Sequence, residues 1–382
     1  MLRVAYLCEY TTVNGGENSL LTFLATAVES IQATVLCPSE GPFVQKLRAQ
    51  GVQCIPFDVR DRSGQRKPLE QLVAELCALV ERLDVDIVHA NSLSMSRILG
   101  AAEDLKCVTV GHVRDIMKVS AKVISDLNQV DMLIAVSAAT RLALTEQGVQ
   151  ADRVTKVFNG VDEDVFCETA NDSGNENVDE TWRRKLGLSS DAVLIGGVGQ
   201  IGLRKGWPVL CDAVEKIIDE FPQLHVVIAG ERYSQKQESS DYEKSLACRA
   251  TSGPLAGRLH WLGYVDTMPE FLRQINVLAH PALQEPLGRV LLEAAASQIP
   301  VVATNVGGTD EIFGDHAALL VDAGDAQSLA TALRDVLLDP KAAADRVGRA
   351  KERIGSLFSV RAFHDSILRV YRLAMRHSLS SE

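Results

Sequence analysis

The sequence predicts an α/β protein made of two doubly wound domains, each with a mainly parallel sheet. Apolar, strand-like runs alternate with amphipathic, helix-like runs along most of the chain, which is typical of βαβ units. The alternation stops once, in the polar stretch CETANDSGNENVDE, and then starts again. A chain of 382 residues is also long enough to build two hydrophobic cores.

The first domain is predicted over residues 1–165. Its strand-like runs are RVAYLC, ATVLCP, VQCIPF, DIVHA, CVTVGH, MLIAVS and RVTKVFNG. Stretches such as SLLTFLATAVES and PLEQLVAELCALVERL lie between them and have the apolar spacing of helices that pack on a sheet. Strands joined through helices run parallel, so the sheet is predicted to be parallel. The acidic stretch that follows is predicted to be a loop or linker.

The second domain is predicted over residues 182–360, and a C-terminal helix over residues 361–378. The strand-like runs of the second domain are DAVLIGGVG, LHVVIAGE, RLHWLGYV, INVLAHPA, PVVATN and AALLVD. In the C-terminal helix, apolar residues recur at helical spacing: Phe363, Ile367, Val370, Tyr371 and Ala374. We expect this helix to pack back on the first domain.

Charge, hydropathy and cysteine spacing exclude several classes of protein. The net charge of −11 is spread along the chain and forms no basic face, so a nucleic acid is not an expected partner. No run approaches the ~18 apolar residues of a membrane span, and LRVAYLCEY at the start has the pattern of a buried strand, not of a signal sequence. The eight cysteines are scattered and form no C-x-x-C pair, so we expect reduced core thiols in a cytoplasmic protein and no metal site.

The loop GGVGQIGLRKG, residues 196–206, allows two interpretations. Gly197, Gly199 and Gly202 spell G-x-G-x-x-G after a strand, which is the pattern of a dinucleotide site. In that fold the helix begins within the glycines, and the third glycine packs against the strand. Here Pro208 suits the first helical position, so we expect the helix to begin near it and the glycines to form a long loop.

That loop ends in two adjacent cations, Arg204 and Lys205. They suit a diphosphate, because arginine offers a planar fork of donors and lysine a point charge. A solvated pair of cations in a surface turn is equally compatible with the loop taken alone. An NAD-dependent oxidoreductase also remains open, with Glu231 after the next strand as the acid that would hold a ribose.

A second anion site is predicted in HPALQEPLGRVLLEAAAS, where a strand gives way to a strong helix. The first amide groups of a helix are unpaired and lie at its positive end. Glu285 lies just before that end, and Glu293 lies about 6 Å along the helix from Arg289. A nucleotide sugar fits with its diphosphate on the amides, its sugar toward Glu285 and its ribose at Glu293, because a carboxylate accepts hydrogen bonds from hydroxyls. The amides are those of Leu287, Gly288, Arg289 and Val290.

These motifs resemble those of the retaining glycosyltransferases of the GT-B fold, family 4. The resemblance is carried in the second half by GQIGLRKG, VVIAGE, LHWLGYV, EPLGRVLLEAAASQIPVVAT and VGGTDEI, and in the first by NGGENSLLTFL, GHVRD, AVSAAT and VFNGVD. It covers nearly the whole chain, and the E-x7-E with its flanks is its most specific part. The resemblance implies two facing Rossmann-like domains with a cleft between them, the acceptor on the first and the donor on the second.

The resemblance also implies a role for each matching residue. Arg204 and Lys205 match the basic pair that holds the donor diphosphate. Glu285 matches the glutamate that contacts the donor sugar, and Glu293 the one that holds the ribose. His112 in GHVRD matches the histidine that faces the sugar. The other residues of the implied substrate site are Gly15 and Gly16 near the phosphate or acceptor, Gly199 in the diphosphate loop, and Tyr264 and Val265 beside the base.

The sequence departs from the family pattern at three points. HPA stands where a Pro-Ser pair is usual, Gln298 replaces the glycine usual after the helix, and VVIAGERYS lacks a second glycine. We expect the first two differences to affect packing and the third to affect the preference for a base.

The resemblance implies transfer with retention, in which the leaving diphosphate takes the acceptor's proton and the protein supplies no nucleophile. Arg204, Lys205 and the helix amides would then stabilise charge on the leaving group. A Lys205→Ala variant is therefore expected to lose transfer far more than folding stability. No D-x-D stands where the chemistry would need one, so we expect a metal-independent hexosyltransferase with no cofactor.

The expected partners are a UDP- or GDP-sugar as donor and a sugar, glycan or lipid-linked molecule as acceptor. The basic stretch VRDRSGQRKP leaves peripheral membrane contact open. Two other classes also remain open: an NAD-dependent oxidoreductase whose helix begins near Gly199, and a module that binds nucleotide sugars without turnover. A sugar epimerase or phosphorylase of the same fold explains the E-x7-E and the Arg-Lys pair less well.

Overall fold

The structure of this protein is a computed structural model that describes residues 1–103, 105–167 and 182–379. It divides into two compact units: Met1–Val161 together with Leu357–Glu382, and Asp162–Ser356. The stretch predicted to be a linker lies, apart from its first residue, outside the described residues. Within the described ranges, no helix is both long and apolar enough to cross a membrane.

The first unit is built on a seven-stranded parallel sheet. Its strands are β1 Leu2–Leu7, β2 Ile31–Cys37, β3 Gln53–Pro56, β4 Ile87–Ala90, β5 Val108–Val113, β6 Met132–Ala135 and β7 Val154–Lys156. Its helices are α1 Gly15–Thr26, α2 Pro42–Ala49, α3 Leu69–Leu83, α4 Leu93–Gly100, α5 Ala121–Leu127, α6 Ala138–Thr145 and the last helix of the chain, α16 Val360–Leu379. The order across the sheet is β3-β2-β1-β4-β5-β6-β7.

The second unit repeats this plan with six parallel strands. They are β8 Val193–Val198, β9 Leu224–Ala229, β10 Leu259–Gly263, β11 Val277–His280, β12 Val301–Thr304 and β13 Leu319–Val321, in the order β10-β9-β8-β11-β12-β13. Its helices are α7 Glu163–Cys167, α8 Trp182–Lys185, α9 Trp207–Glu215, α10 Gln237–Thr251, α11 Met268–Gln274, α12 Arg289–Ala296, α13 Thr309–Phe313, α14 Ala326–Leu338 and α15 Pro340–Arg353. The predicted pair of doubly wound α/β domains is confirmed.

Each sheet has one point at which the strand order reverses. The first strand of each unit lies inside the sheet, two strands are added on one side, and the chain then continues on the other side. The reversal falls between β1 and β4 in the first unit and between β8 and β11 in the second. Loops that leave the carboxyl ends of such a strand pair turn in opposite directions, and the crevice between them is where open α/β sheets bind ligands.

The helix α16 completes the core of the first unit. Phe363, Ile367, Val370, Tyr371 and Ala374 are all buried, in one cluster with residues of α1 and the strands. They recur every three or four residues, so a single face of the helix meets the sheet and α1. Fully burying an apolar side chain of the size of Phe363 or Ile367 stabilises a fold by about 1.5–3 kcal/mol.

Two expectations about packing need correction. Cys8, Cys37 and Cys211 are buried, but Cys248 is exposed and the other four cysteines are half-buried. Cys248 lies on α10, a helix on which the sole buried residue is Leu246. Gln298 has a φ of 58°, so the glycine usual at this position serves backbone conformation and not packing.

Candidate active site

The charged residues predicted to hold a donor lie at the strand reversal of the second sheet. β8 continues through a loop into a 3₁₀ turn, Leu203–Lys205, and then into α9. Its neighbour β11 continues through residues 281–288 into α12. The Leu283 amide donates to the Arg204 carbonyl at 2.8 Å, which joins the two loops directly. Residues about 80 positions apart in the chain thus share one edge of the sheet.

Lys205, Glu285 and His280 form a buried charged cluster at this edge. Lys205 Nζ donates to Glu285 Oε2 at 2.7 Å, and His280 Nε2 lies 2.9 Å from the same oxygen. The side chains of Lys205 and Glu285 are 13% and 12% exposed, and that of His280 is 1% exposed. Because water is largely excluded, attraction within this ion pair is stronger than in a surface pair.

The cluster sets the charges of Glu285 and His280. Burial alone would raise the pKa of Glu285, but Lys205 and the hydrogen bond from His280 outweigh it and hold that pKa well below its usual range. Burial lowers the pKa of His280 by more than Glu285 raises it, so the ring is neutral at pH 7. A neutral ring that bonds a carboxylate through Nε2 carries its proton there. Glu285 is therefore an anion that receives one charged and one neutral donor.

Arg204 differs from Lys205 in being exposed. Its carbonyl holds the two loops together, while its guanidinium makes no ion pair with the described acidic residues. An exposed guanidinium can bind a diphosphate with two parallel hydrogen bonds. Lys205, in contrast, is largely buried and its ammonium group is paired with Glu285.

Glu293, the second glutamate of the E-x7-E, has a different environment. It lies on α12, which begins at Arg289 and follows Gly288, whose φ is 102°. Arg289 Nε donates to Glu293 Oε1 at 2.8 Å, and Glu293 is 9% exposed. Burial raises the pKa of the Glu293 carboxyl, and the nearby Arg289 only partly offsets this. The pKa values of the two glutamates are thus shifted in opposite directions.

Because the pKa values of Glu285 and Glu293 are shifted in opposite directions, the stabilities of Glu285→Gln and Glu293→Gln are expected to depend on pH in opposite ways. Folding lowers the pKa of Glu285, so its carboxylate stabilises the fold at pH values above about 4.3, the pKa of a glutamate in the unfolded chain. This contribution is lost as the pH falls through the pKa of the folded state. Folding raises the pKa of Glu293, so its neutral carboxyl favours the fold at pH values below about 4.3. This contribution is lost as the pH rises through the pKa of the folded state. Relative to wild type, Glu285→Gln is therefore expected to become less destabilising toward acid, and Glu293→Gln less destabilising toward neutral pH.

Urea unfolding followed by tryptophan fluorescence measures both variants in the relevant unit. All three tryptophans, Trp182, Trp207 and Trp261, lie in the second unit with the two glutamates. The free energy of unfolding is compared with wild type from about pH 3 to pH 7. Parallel curves for the two variants would contradict the opposite charge environments described above.

The glycine loop does not have the geometry of a dinucleotide site. The helix α9 begins at Trp207 and not within the glycines. A Cβ added at Gly202, the third glycine of the pattern, would meet nothing within 4 Å. In a dinucleotide fold that glycine is required for close packing of helix on strand. The interpretation of this loop as an NAD site is therefore not supported by its backbone.

This geometry predicts that Gly202→Ala and Gly206→Ala differ strongly in stability. Gly202 has a φ of −160°, which alanine adopts freely. The free energy of unfolding of Gly202→Ala is therefore expected to differ from that of wild type by no more than about 0.5 kcal/mol. Gly206 has a φ of 66°, and its added Cβ would lie 2.0 Å from the Pro281 carbonyl oxygen. Gly206→Ala is expected to cost about 2 kcal/mol or more. Urea titrations of both variants test this, and a costly Gly202→Ala would restore the dinucleotide interpretation.

In the first unit, the predicted residues surround Arg114, to which the sequence pattern assigned no role. Arg114 follows β5, and its guanidinium donates to Asn159 Oδ1 at 2.7 Å, to Asn91 Oδ1 at 2.9 Å and to His112 Nδ1 at 3.1 Å. Asn91 Nδ2 in turn donates to the Gly16 carbonyl at 3.2 Å. A Cβ on Gly16 would lie 3.1 Å from Arg114 Cδ, so the close approach here favours glycine.

His112 lies in a row of buried aromatic rings. It is 1% exposed, and its ring stacks on that of His89 with 5.5 Å between centroids. His89 Nδ1 lies 2.6 Å from the Tyr371 hydroxyl, which lies 3.0 Å from the Tyr6 hydroxyl. Among the described residues, neither His89 Nε2 nor His112 Nε2 has a hydrogen-bond partner. The helix α16, through Tyr371, thus reaches the ring next to His112.

Four further residues of the predicted substrate site have varied environments. Gly15 is the first residue of α1, and a Cβ there would meet nothing within 4 Å. A Cβ on Gly199, whose φ is 146°, would lie 3.0 Å from Lys205 Cε, so this glycine makes room for the lysine. Tyr264 follows β10 and is 54% exposed, and its amide donates to Glu231 Oε1 at 3.2 Å. Val265 is buried.

Two residues of these clusters were missed by sequence reasoning. His280 was noted only as a departure from a family pattern, although it ends a buried strand five residues before Glu285. Arg114 is two residues after His112, and residues two apart along an extended backbone lie on the same side. That spacing was the available signal for a contact between them.

Two family models match this chain, one in each half. Residues 178–353 match the model Glycosyl transferases group 1, and residues 13–165 match the model Glycosyltransferase Family 4. The two doubly wound units have the architecture of the GT-B class. The second half of the chain is thus similar to group 1 glycosyltransferases, and the first half to family 4 glycosyltransferases.

Curated relatives match parts of the chain. This chain is 28% identical over 202 residues to the lipopolysaccharide core biosynthesis glycosyltransferase LpsE of Rhizobium meliloti. The match covers 53% of this chain and 56% of LpsE. The chain is 32% identical over 222 residues to a D-inositol 3-phosphate glycosyltransferase of Corynebacterium urealyticum, with 56% and 50% covered. The chain thus spans about half the length of these curated relatives.

The solved structure of HepE from Anabaena is similar over its whole length. HepE in complex with UDP, and likewise with UDP-glucose, has a TM-score of 0.82 and 23% identity, with 100% of both chains covered. At this level of identity the similarity shows the fold, which is GT-B.

Proposed function

We propose that this protein is a retaining, metal-independent glycosyltransferase that moves a hexose from a nucleotide-diphosphate sugar to a hydroxyl of an acceptor. The observation that carries the proposal is the Lys205–Glu285–His280 cluster, with exposed Arg204 beside it, at the strand reversal of the second sheet. Arg204 and Lys205 bring positive charge for a diphosphate, and Glu285 brings an anionic acceptor for hydroxyls. All three lie at the edge where such sheets bind ligands.

Each charged group has a task that suits its environment. Arg204 is exposed and offers the planar fork that binds a diphosphate. Glu285 is held as an anion by Lys205 and His280, so it can accept hydrogen bonds from hydroxyls of the donor sugar. Glu293, fixed by Arg289, is the corresponding acceptor for the ribose hydroxyls.

The catalytic contribution of these groups is electrostatic. As the bond between sugar and diphosphate breaks, negative charge grows on the leaving diphosphate, and Arg204 and Lys205 stabilise it. The acceptor's proton passes to the leaving diphosphate on the same face of the sugar, so no side chain acts as a nucleophile. The two cations supply the positive charge that a divalent metal supplies in other sugar-transferring enzymes.

A uridine nucleotide is the donor that the comparisons favour. HepE was solved with UDP and with UDP-glucose, and it shares the fold of this chain over its whole length. Among the relatives whose names state an activity, LpsE acts in lipopolysaccharide core biosynthesis, and the enzyme of Corynebacterium urealyticum is a D-inositol 3-phosphate glycosyltransferase. We therefore propose a UDP-sugar as donor, and a sugar, glycan or lipid-linked hydroxyl compound as acceptor.

Thermal shift and nucleotide release across UDP-, GDP- and ADP-sugars and NAD test this proposal. We expect a UDP-sugar to raise the melting temperature and to release UDP when acceptors are added, with and without a metal chelator. Stabilisation by NAD alone would overturn the proposal. Stabilisation by a UDP-sugar with no transfer to a panel of sugar and lipid-linked acceptors, and no hydrolysis, would instead indicate a non-catalytic binding module.

A further inference from the structure

The guanidinium of Arg114 bonds to three separate segments at the carboxyl edge of the first sheet. Its acceptors are Asn91 after β4, Asn159 after β7 and His112 at the end of β5. Its Nε also donates to the Asn91 carbonyl at 3.3 Å. A guanidinium holds its donors in a rigid planar fork, so these bonds fix the direction of each partner.

The contact with Arg114 determines which nitrogen of His112 carries the proton. A guanidinium has donors only, so His112 Nδ1 must accept with its lone pair. Burial and the positive charge of Arg114 both lower the pKa of His112 well below its usual range, and the ring is neutral. In a neutral ring whose Nδ1 is an acceptor, the proton is on Nε2.

The resulting N–H group of His112 has no acceptor among the described residues. His112 Nε2 is buried and makes no hydrogen bond with them. A buried donor without a partner is unfavourable, and an oxygen of a bound molecule supplies what is missing. The arrangement is therefore suited to a ligand hydroxyl or carbonyl oxygen that reaches this nitrogen.

We propose that Arg114 is a positioning residue that locks His112 in the form protonated at Nε2, so that His112 acts as a fixed hydrogen-bond donor to the substrate. A ring in this form is neither a general acid nor a general base, because Nδ1 is held by a cation and Nε2 keeps its proton. The identity of the substrate rests on the proposed glycosyl transfer, whereas the position of the proton does not.

Nitrogen NMR of the free protein tests the proton position without any activity. The protein is labelled with ¹⁵N-histidine, and the His112 ring signals are identified by their loss in His112→Gln. In wild type we expect the signal of an unprotonated Nδ1 and a protonated Nε2. In Arg114→Lys, which keeps the charge but not the fork, we expect both tautomers. A wild-type ring protonated at Nδ1, or an unchanged tautomer in Arg114→Lys, would overturn the proposal.

Kinetics with UDP-glucose then tests the consequence for transfer or hydrolysis. Arg114→Lys is expected to lower kcat by about 100-fold, because a misdirected donor no longer meets its oxygen. KM for UDP-glucose is expected to stay within about twofold, since the predicted diphosphate residues are unchanged. An unchanged kcat, or a rise in KM alone, would contradict the positioning role.

Arg141→Lys is the matched control. Arg141 also joins separate segments of the first unit, donating to the Val154 and Ala151 carbonyls at 3.0 Å and 3.2 Å, but it is not bonded to His112. It is expected to keep both the tautomer and kcat. If wild type turns over no nucleotide sugar, the proposed function fails, and the NMR result still decides whether Arg114 sets the tautomer.

Discussion

Lys205→Ala is expected to lose both sugar transfer and stability of the second unit. Transfer falls because Lys205 stabilises the leaving diphosphate, and removing one such group costs about 10²–10³ in kcat. Stability falls because Glu285, whose side chain is 12% exposed, is left as a buried carboxylate without its cation. Breaking a buried ion pair by removing one partner costs about 3–5 kcal/mol. Urea unfolding by tryptophan fluorescence and a UDP-release assay measure the two effects.

This expectation differs from the one based on sequence, in which Lys205→Ala lost transfer far more than folding stability. Arg204→Ala is the variant that separates the two effects, because Arg204 is exposed. It is expected to lose transfer while the free energy of unfolding changes by about 0.5 kcal/mol or less.

A second variant separates the ion pair from the catalysis. In Lys205→Ala/Glu285→Gln the unpaired carboxylate is gone, so part of the lost stability is expected to return while transfer stays low. A double variant no more stable than Lys205→Ala would show that the unpaired Glu285 carboxylate is not the cause of the lost stability. Wild-type turnover in Lys205→Ala would refute the catalytic assignment.

Tyr371→Ala is expected to cause the largest loss of stability in the first unit. Tyr371 is fully buried in the core formed by α16, and replacing a large buried side chain with alanine costs about 3–5 kcal/mol. Its hydroxyl also contacts His89 and Tyr6, and both would lose a buried hydrogen-bond partner. Urea unfolding followed by far-ultraviolet circular dichroism measures the loss, since this signal includes both units.

Tyr371→Phe is the matched control for packing. It keeps the ring and removes only the hydroxyl, so the expected cost is about 1–3 kcal/mol for the polar groups left without a partner. Tryptophan fluorescence at low denaturant checks that the second unit stays folded, because all three tryptophans are there. Equal stabilities of wild type and Tyr371→Ala would show that α16 does not contribute to this core.

The sequence predicts the fold and the region of the donor site because both depend on local patterns. Apolar runs mark the strands, and Pro208 and Gly288 mark where α9 and α12 begin. The sharing of one carboxylate oxygen by Lys205 and His280 was not predictable, because it depends on how two loops meet in three dimensions. No periodicity in the chain reports such a contact.

Contacts between distant segments also explain why the surroundings of His112 in the first unit were not predicted. His112 was recognisable in GHVRD, but its environment depends on Asn91, Asn159 and Tyr371, which lie far from it in sequence. The burial of Glu293 was likewise missed, because on a helix wheel a glutamate in RVLLEAAAS does not reveal whether it faces water or an arginine one turn away.

The first unit is assembled from the two ends of the chain, which has a consequence for its biosynthesis. A ribosome makes Met1–Val161 first, then the whole of Asp162–Ser356, and only then the helix α16. At about 5–20 residues per second, the nascent first unit waits roughly 10–40 s for that helix. Throughout this interval the apolar surface that α16 covers is exposed, and exposed apolar surface of an incomplete fold favours aggregation.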